Sequence, residues 1–317
     1  MTDLQIVTKK WEESELAEVS QFVFENRIGI YNNAEDAEGI RRYLTNIQER
    51  FPAEVIFEVN RKGSLCGWVA LDRESKSVAE LGRWQPIVAK SKNEDEIASN
   101  LIQEVLEYAK KNGITRLEIS FNNVNPDNQE EYERSAKWLN ANEIPKLQDH
   151  AYMTLQLDEF EPKITKNRDL SKVGLQYVDE DELYKCYHTT FSSSKDREFL
   201  DSSEKQRREK FDEAIHSDVL NKNLSFVWKD GEKIIGFVFV HSRDNEEHIH
   251  MFGILEEYRE KGIATNLLLN ILRDVKITGY RRVSLGVDIS NTPAFNLYKK
   301  IGFKIDSRTI VHSWKSS

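Results

Sequence analysis

Shifted by 166 positions, the sequence coincides with itself: Ala98, Leu101, Ile102, Val105, Leu106 and Ala109 fall on Ala264, Leu267, Leu268, Ile271, Leu272 and Val275. Each set is the i, i+3, i+4, i+7 stripe of an amphipathic helix. Gly113 falls on Gly279, where each helix is expected to stop, and a β-type run follows in both copies, "ITRLEISF" and "YRRVSLGV". Upstream, "SLCGWVALD" and "KIIGFVFVH" match through Gly67 and Gly236 at an offset of 169, so the turn between differs in length. Ungapped agreement at this many apolar and glycine positions predicts a tandem duplication, one pattern folded twice.

Both copies read in one order. An opening strand ("LQIVTK"; "LQYV") leads to helices around 15–50 and 180–217. Three strands follow, then the helix just described, a strand, a second helix and a closing strand, "AYMTLQL" or "RTIVHSW". Hairpin-linked strands ahead of a helical crossover predict the α/β class, with two domains, each a mixed, mostly antiparallel sheet flanked by helices. The polar, Pro-containing "DEFEPKITKNRDLSK" is expected to join domains spanning 1–160 and 170–317.

Composition narrows the function classes. With 39% hydrophobic and 31% charged residues, the 317-residue chain reads as globular. No apolar run reaches membrane-spanning length, and "MTDLQIVTKKWEE" lacks the apolar core of a signal peptide. Cys66 and Cys186 alone make neither a disulfide framework nor a cysteine-rich metal site. The net charge of −9 argues against broad nucleic-acid binding. The expectation is a cytoplasmic protein with no membrane, nucleic-acid or metal partner, monomeric or homodimeric.

In "YREKGIATNLLLNILRDVKITG", Arg259, Lys261 and Gly262 stand at the mouth of the second apolar helix. The helix dipole favours anions there, so cations beside a glycine that bares backbone N–H groups predict a bound phosphate. Arg259-Glu260-Lys261-Gly262-Ile263-Ala264 fits the pattern Q/R-x-x-G-x-G/A. "SNTPAFNLYKKIGF" fits N-x-x-A-x-x-L-Y-x-x-x-G-F through Asn291, Ala294, Leu297, Tyr298, Gly302 and Phe303. With both elements in order, roughly residues 170–317 resemble the GNAT superfamily of acyl-CoA-dependent N-acetyltransferases. Two-domain members such as mycothiol synthase share the tandem layout.

The resemblance implies the following roles. Backbone N–H groups from Lys261 through Gly262, Ile263 and Ala264 to Thr265 would hold the pyrophosphate of acetyl-CoA, a co-substrate. Phe252, Gly253 and Ile254 would pair with its pantetheine arm like an added strand, and Asn291 would touch the same arm. Tyr298 would give a proton or a hydrogen bond to the departing thiolate. A thioester is already activated, so a neutral primary amine can attack it directly in a ternary complex, without a metal. The stretch "SSSKDREFLDSSEKQRREKF" falls where the family builds its acceptor lid.

Plainer readings stand beside these. Tyr298 also fits a core aromatic, Asn291 a helix N-cap, and the lid stretch a solvated charged helix. For the general base, strand alternation places His248, His250, Phe252 and Ile254 on one face, and either histidine could take the amine's proton. Asp288 and Glu247 are further candidates.

In the first half the loop becomes Asn93-Glu94-Asp95-Glu96-Ile97-Ala98, with carboxylates where the pyrophosphate would sit, although Asn125 and Tyr132 still fall on Asn291 and Tyr298. Residues 1–160 are therefore expected to be a degenerate copy, a scaffold or acceptor wall. The expected function is acetyl transfer to a small-molecule or peptide amine; the alternative is a non-catalytic acyl-CoA-binding sensor or interaction module.

Overall fold

The computed structural model describes residues 4–10, 12–162, 170–194, 196–243 and 245–316. Its elements begin with β1 (Leu4–Lys9), α1 (Leu16–Glu25), α2 (Ala37–Arg50), β2 (Val55–Arg61), β3 (Ser64–Arg73), β4 (Val78–Leu81) and β5 (Ile87–Val88). Then come α3 (Glu94–Lys111), β6 (Arg116–Val124), α4 (Gln129–Ala141) and β7 (Lys146–Gln156). The second copy runs β8 (Ser171–Gly174), α5 (Glu180–Ser192), α6 (Arg197–Asp201), α7 (Glu204–Ile215), β9 (Phe226–Asp230), β10 (Lys233–Arg243) and β11 (Glu246–Ile254). It closes with α8 (Ile263–Ile277), β12 (Arg282–Asp288), α9 (Thr292–Ile301) and β13 (Lys304–Lys315). "LQYV", expected as the opening strand, is instead a 3-10 turn over Leu175–Tyr177, and the strand is the preceding β8.

The chain divides into two compact units, Met1–Asp149 with Ser307–Ser317, and His150–Asp306. This differs from the expected 1–160 and 170–317 in the two closing strands. Residues 308–315 of β13 pair with β6 in the first unit, whereas residues 150–156 of β7 pair with β12 in the second. Sequence order suggested that each half ends on its own last strand, but register puts each closing strand in the other copy's sheet. Of the expected joining segment, 163–169 lie outside the described residues.

Within the first unit the strand order is β1-β2-β3-β4-β6-β13, within the second β7-β12-β11-β10-β9-β8. Each is antiparallel except for one parallel pair, β4 with β6 and β11 with β12. The duplicated helices bury the predicted stripes. Leu268, Ile271 and Leu272 of α8 are all 0% exposed, each worth about 1.5–3 kcal/mol of transfer free energy. In the second unit, α8 and α9 pack with Val238, Val240 and Ile249 on one side of the sheet. Helices α5 and α7 pack with Phe237 and Phe239 on the other.

Candidate active site

The parallel pair β11–β12 is short. It runs only from Glu247–Ile249 against Val283–Leu285. Where it stops, β11 carries a bulge: Phe239 opposes Met251 and Val240 opposes Ile249, so His250 has no opposite number. A bulge bends its strand and ends pairing locally. Among the described residues, no strand pairs with the β12-side edge of β11 from His250 to Ile254. The result is a slot along the β11 edge where pairing with β12 has stopped.

The bulge also overturns the expected alternation. His248 opposes His241, whose Nε2 meets the Ala214 carbonyl of α7 at 3.2 Å. Phe252 and Ile254 instead join the opposite core, with Ile249. One extra residue reverses the two-residue period, so His248 does not share a face with Phe252 and Ile254.

A cavity of about 660 Å³ opens at the slot. His248, His250 and Phe252 of β11, Asp288 of β12, and Asn291 and Tyr298 line it. The expected lid contributes Asp196, Phe199, Ser202, Arg207 and Lys210; residue 195 of that stretch lies outside the described residues. Gly253, Ile254 and residues 259–265 do not line the cavity. Neither does Glu247, which is 0% exposed and accepts from Asn221 and Ser242, both at 2.9 Å.

Gly262 is the N-cap of α8, at φ 71 and ψ 0, with no side-chain cap and no acid in the first turn. The first helical bond runs from Asn266 N–H to the Gly262 carbonyl, which leaves the preceding N–H groups outside the ladder. Glu260 is also left-handed, at φ 60, so the loop has the alternating backbone of an anion nest. Arg259 departs from expectation. Its guanidinium donates to the carbonyls of Ile254 (3.0 Å), Ser193 (2.9 Å) and Thr190 (2.8 Å), clamping the loop to the end of α5 instead of pointing at an anion. Lys261 donates to the Glu257 carbonyl at 2.6 Å.

Tyr298 is 7% exposed and meets Phe303 edge-on at 5.9 Å. Burial, with Asp196 nearby, pushes its phenol well above the ordinary value, so it stays protonated. Asn291 occupies the N-cap of α9 but makes no capping bond with its side chain, which lines the cavity. His250 is exposed and stacks on His241, with ring centroids 4.2 Å apart. His248 is 7% exposed, stacks on Tyr152 and meets the Ser284 hydroxyl at 2.9 Å through Nδ1. Ser284, Glu246 and Tyr152 were invisible in the sequence as site residues, because their meeting depends on the register of three strands.

Burial first, then Arg243 and the neighbouring histidines, lowers the His248 pKa to about 3. In the unfolded chain it titrates near 6.5. The unfolded state therefore binds more protons between those values, so stability present above about pH 6.5 is lost as pH falls toward 3. On going from about pH 7.5 to about pH 5, the wild type should lose about 2 kcal/mol more than His248→Gln, read from urea midpoints. Equal losses would show that His248 contributes nothing to acid lability.

The model of the acetyltransferase (GNAT) family matches residues 181–303. Residues 181–303 are thus similar to the acetyltransferase (GNAT) family. Over 93 residues the chain is 35% identical to a mycothiol acetyltransferase of Corynebacterium glutamicum, covering 29% of this chain and 32% of that one. Over 58 residues it is 45% identical to an N-alpha-acetyltransferase of Sulfurisphaera tokodaii, covering 18% and 35%. The chain thus spans about a third of the length of these curated relatives. A GCN5-related N-acetyltransferase structure from Sphaerobacter thermophilus covers 98% of this chain and 95% of its own at TM-score 0.57 and 14% identity, a likeness of fold. Among the described residues no helix is long and apolar enough to cross a membrane, and no cluster of ligating side chains could hold a metal.

The first unit repeats the second unit's order of strands and helices apart from α6 and its own added β5, but a buried side chain lies where its short parallel pair ends. Beyond the β4–β6 pair, Trp84 is 0% exposed, and its Nε1 donates to the Asn122 carbonyl of β6 at 2.8 Å. The carboxylates at the start of α3 bind α4: Glu94 pairs with Arg134 at 3.1 Å, and Asp95 takes Lys137 at 2.6 Å and the Trp138 indole at 2.8 Å. Tyr132, the counterpart of Tyr298, meets His312 Nε2 at 3.2 Å.

Proposed function

We propose that the protein transfers the acetyl group of acetyl-CoA to a primary amine at the second unit, by direct attack within a ternary complex. The slot between β11 and β12, leading past an uncapped glycine N-cap, carries this reading. The nest at Glu260–Gly262 and the first N–H groups of α8 suit a pyrophosphate. The free edge of β11 at Phe252–Ile254 offers hydrogen bonds to the amides of a pantetheine arm. The thioester carbon would then lie among Asn291, Tyr298 and the histidines, where an amine can reach it from the side of α6 and α7. The similarity to proteins named mycothiol acetyltransferase and N-alpha-acetyltransferase keeps both small-molecule and peptide amines in view.

Coenzyme A release measured over amines, aminoglycosides and N-terminal peptides tests the reading. At least one class should show turnover well above hydrolysis. Tight acetyl-CoA binding with no release for any amine would favour an acyl-CoA sensor.

Stoichiometry is a separate expectation. The acids at the first unit's α3 N-terminus oppose a second pyrophosphate by like charge. Calorimetry should give one acetyl-CoA per chain, and two equivalent sites would contradict that assignment.

A further inference from the structure

Beneath the cavity wall lies a chain of hydrogen bonds that links three strands. Ser284 Oγ on β12 donates to Glu246 Oε1 at 2.6 Å. The Tyr152 hydroxyl on β7 donates to the same oxygen. Arg282 Nε stands 3.0 Å from Glu246 Oε2, and Arg243 lies 3.8 Å from Oε1. His248 Nδ1 lies 2.9 Å from Ser284 Oγ. A serine has one O–H, and here a carboxylate facing two guanidiniums takes it. The hydroxyl can therefore only accept from His248, so Nδ1 must carry a proton. That leaves Nε2 with the lone pair.

Resting on the acetyl-transfer reading above, we propose that Glu246, Ser284 and Tyr152 are positioning residues that hold His248 as the Nδ1–H tautomer, with Nε2 presented to the cavity to receive the amine's proton. The ring plane is set from both directions. Tyr152 stacks on it with centroids 5.9 Å apart and planes 11° from parallel, while Ser284, 0% exposed, fixes its rotation. Around the imidazole stand Arg243 and His241 of β10, His250 of β11, and His150 and Tyr152 of β7. These neighbours, with burial, keep the resting imidazole neutral. A neutral imidazole can accept a proton, and Glu246 answers the positive charge that then forms, through the serine bridge.

Attack forms the C–N bond and leaves an N⁺–H on the tetrahedral adduct. That N–H bond breaks, its electron pair stays on nitrogen, and Nε2–H forms. Collapse re-forms the carbonyl and breaks the C–S bond, and the thiolate departs with the sulfur electron pair. Ser284 and Glu246 keep their own protonation throughout, and the proton on Nε2 passes to solvent once the products have left, which returns His248 to neutral.

Nitrogen-15 NMR of histidine-labelled full-length protein reads the tautomer without any acceptor. Wild type should show His248 protonated on Nδ1 at neutral pH. Ser284→Ala and Glu246→Gln should shift the population toward Nε2–H, and Ser284→Thr should restore it. An Nε2–H tautomer in wild type, or one unmoved in both variants while their melting curves stay cooperative, would overturn the relay. With an amine that turns over, Ser284→Ala should lower kcat roughly 10-fold or more at unchanged KM for acetyl-CoA. Unchanged kcat would remove the relay from catalysis. Absence of turnover with every amine counts against the proposed function, and the NMR arm still decides the relay.

Discussion

Gly262→Glu yields a folded protein that binds acetyl-CoA roughly 10²- to 10³-fold more weakly, the change that copies Glu96 of the first unit into the second. Two physical effects act, strain on the stability of the fold and charge on the binding of the ligand. At φ 71 the N-cap of α8 sits where only glycine is unstrained, and a side chain there costs about 1–2 kcal/mol of backbone strain. A carboxylate about 4 Å from a pyrophosphate adds repulsion of about 4 kcal/mol at an effective dielectric near 20. Gly262→Asn separates the two, since asparagine tolerates the left-handed region and carries no charge. It should lose less than the glutamate variant. Calorimetry checks both, and unchanged affinity in folded Gly262→Glu would place the phosphate elsewhere.

Tyr298→Phe lowers turnover by roughly 10²-fold, the usual worth of one donor aimed at a developing anion, while acetyl-CoA affinity stays close to wild type. The ring keeps its edge contact with Phe303, so the fold has little to lose. Burial raises the phenol, which makes complete transfer of its proton to a thiolate uphill. A thiol of the cysteine type has a pKa near 8.5. In the proposed reaction Tyr298 would therefore act as a hydrogen-bond donor to the sulfur as charge develops, an interaction stronger in the transition state than before it. Tyr132→Phe is the matched control. It removes a buried contact to His312 and costs stability, but turnover holds. Equal loss of turnover at both tyrosines, or none at Tyr298, would return Tyr298 to the role of a core aromatic.

What was legible in the sequence follows from locality. Ala264, Leu267, Leu268, Ile271 and Leu272 announce their helix through spacing alone, and Gly262 announces its start through the residues beside it. Asn291 and Tyr298 keep a fixed separation along one helix and its cap, so a motif can carry them. The bulge at His250 has no such local signature. It is defined by which β10 residue stands opposite, and it moved His248 away from Phe252 and Ile254. Arg259 was misread for a similar reason, because its three carbonyl partners include Ser193 and Thr190, far away in the chain. Trp84 reads as any core aromatic until β6 is beside it.

The closing strands set an order of events during synthesis. Residues 308–315, which complete the β6 edge, leave the ribosome only after the whole second unit has emerged. Tyr132 waits 180 residues for His312. Throughout that interval β6 presents an unpaired edge, the kind of surface that recruits stray strands. The second unit has no such wait, since β7 is already made when β12 appears. The copy that carries the slot can thus mature first, and the first unit becomes whole only after residues 308–315 have been made.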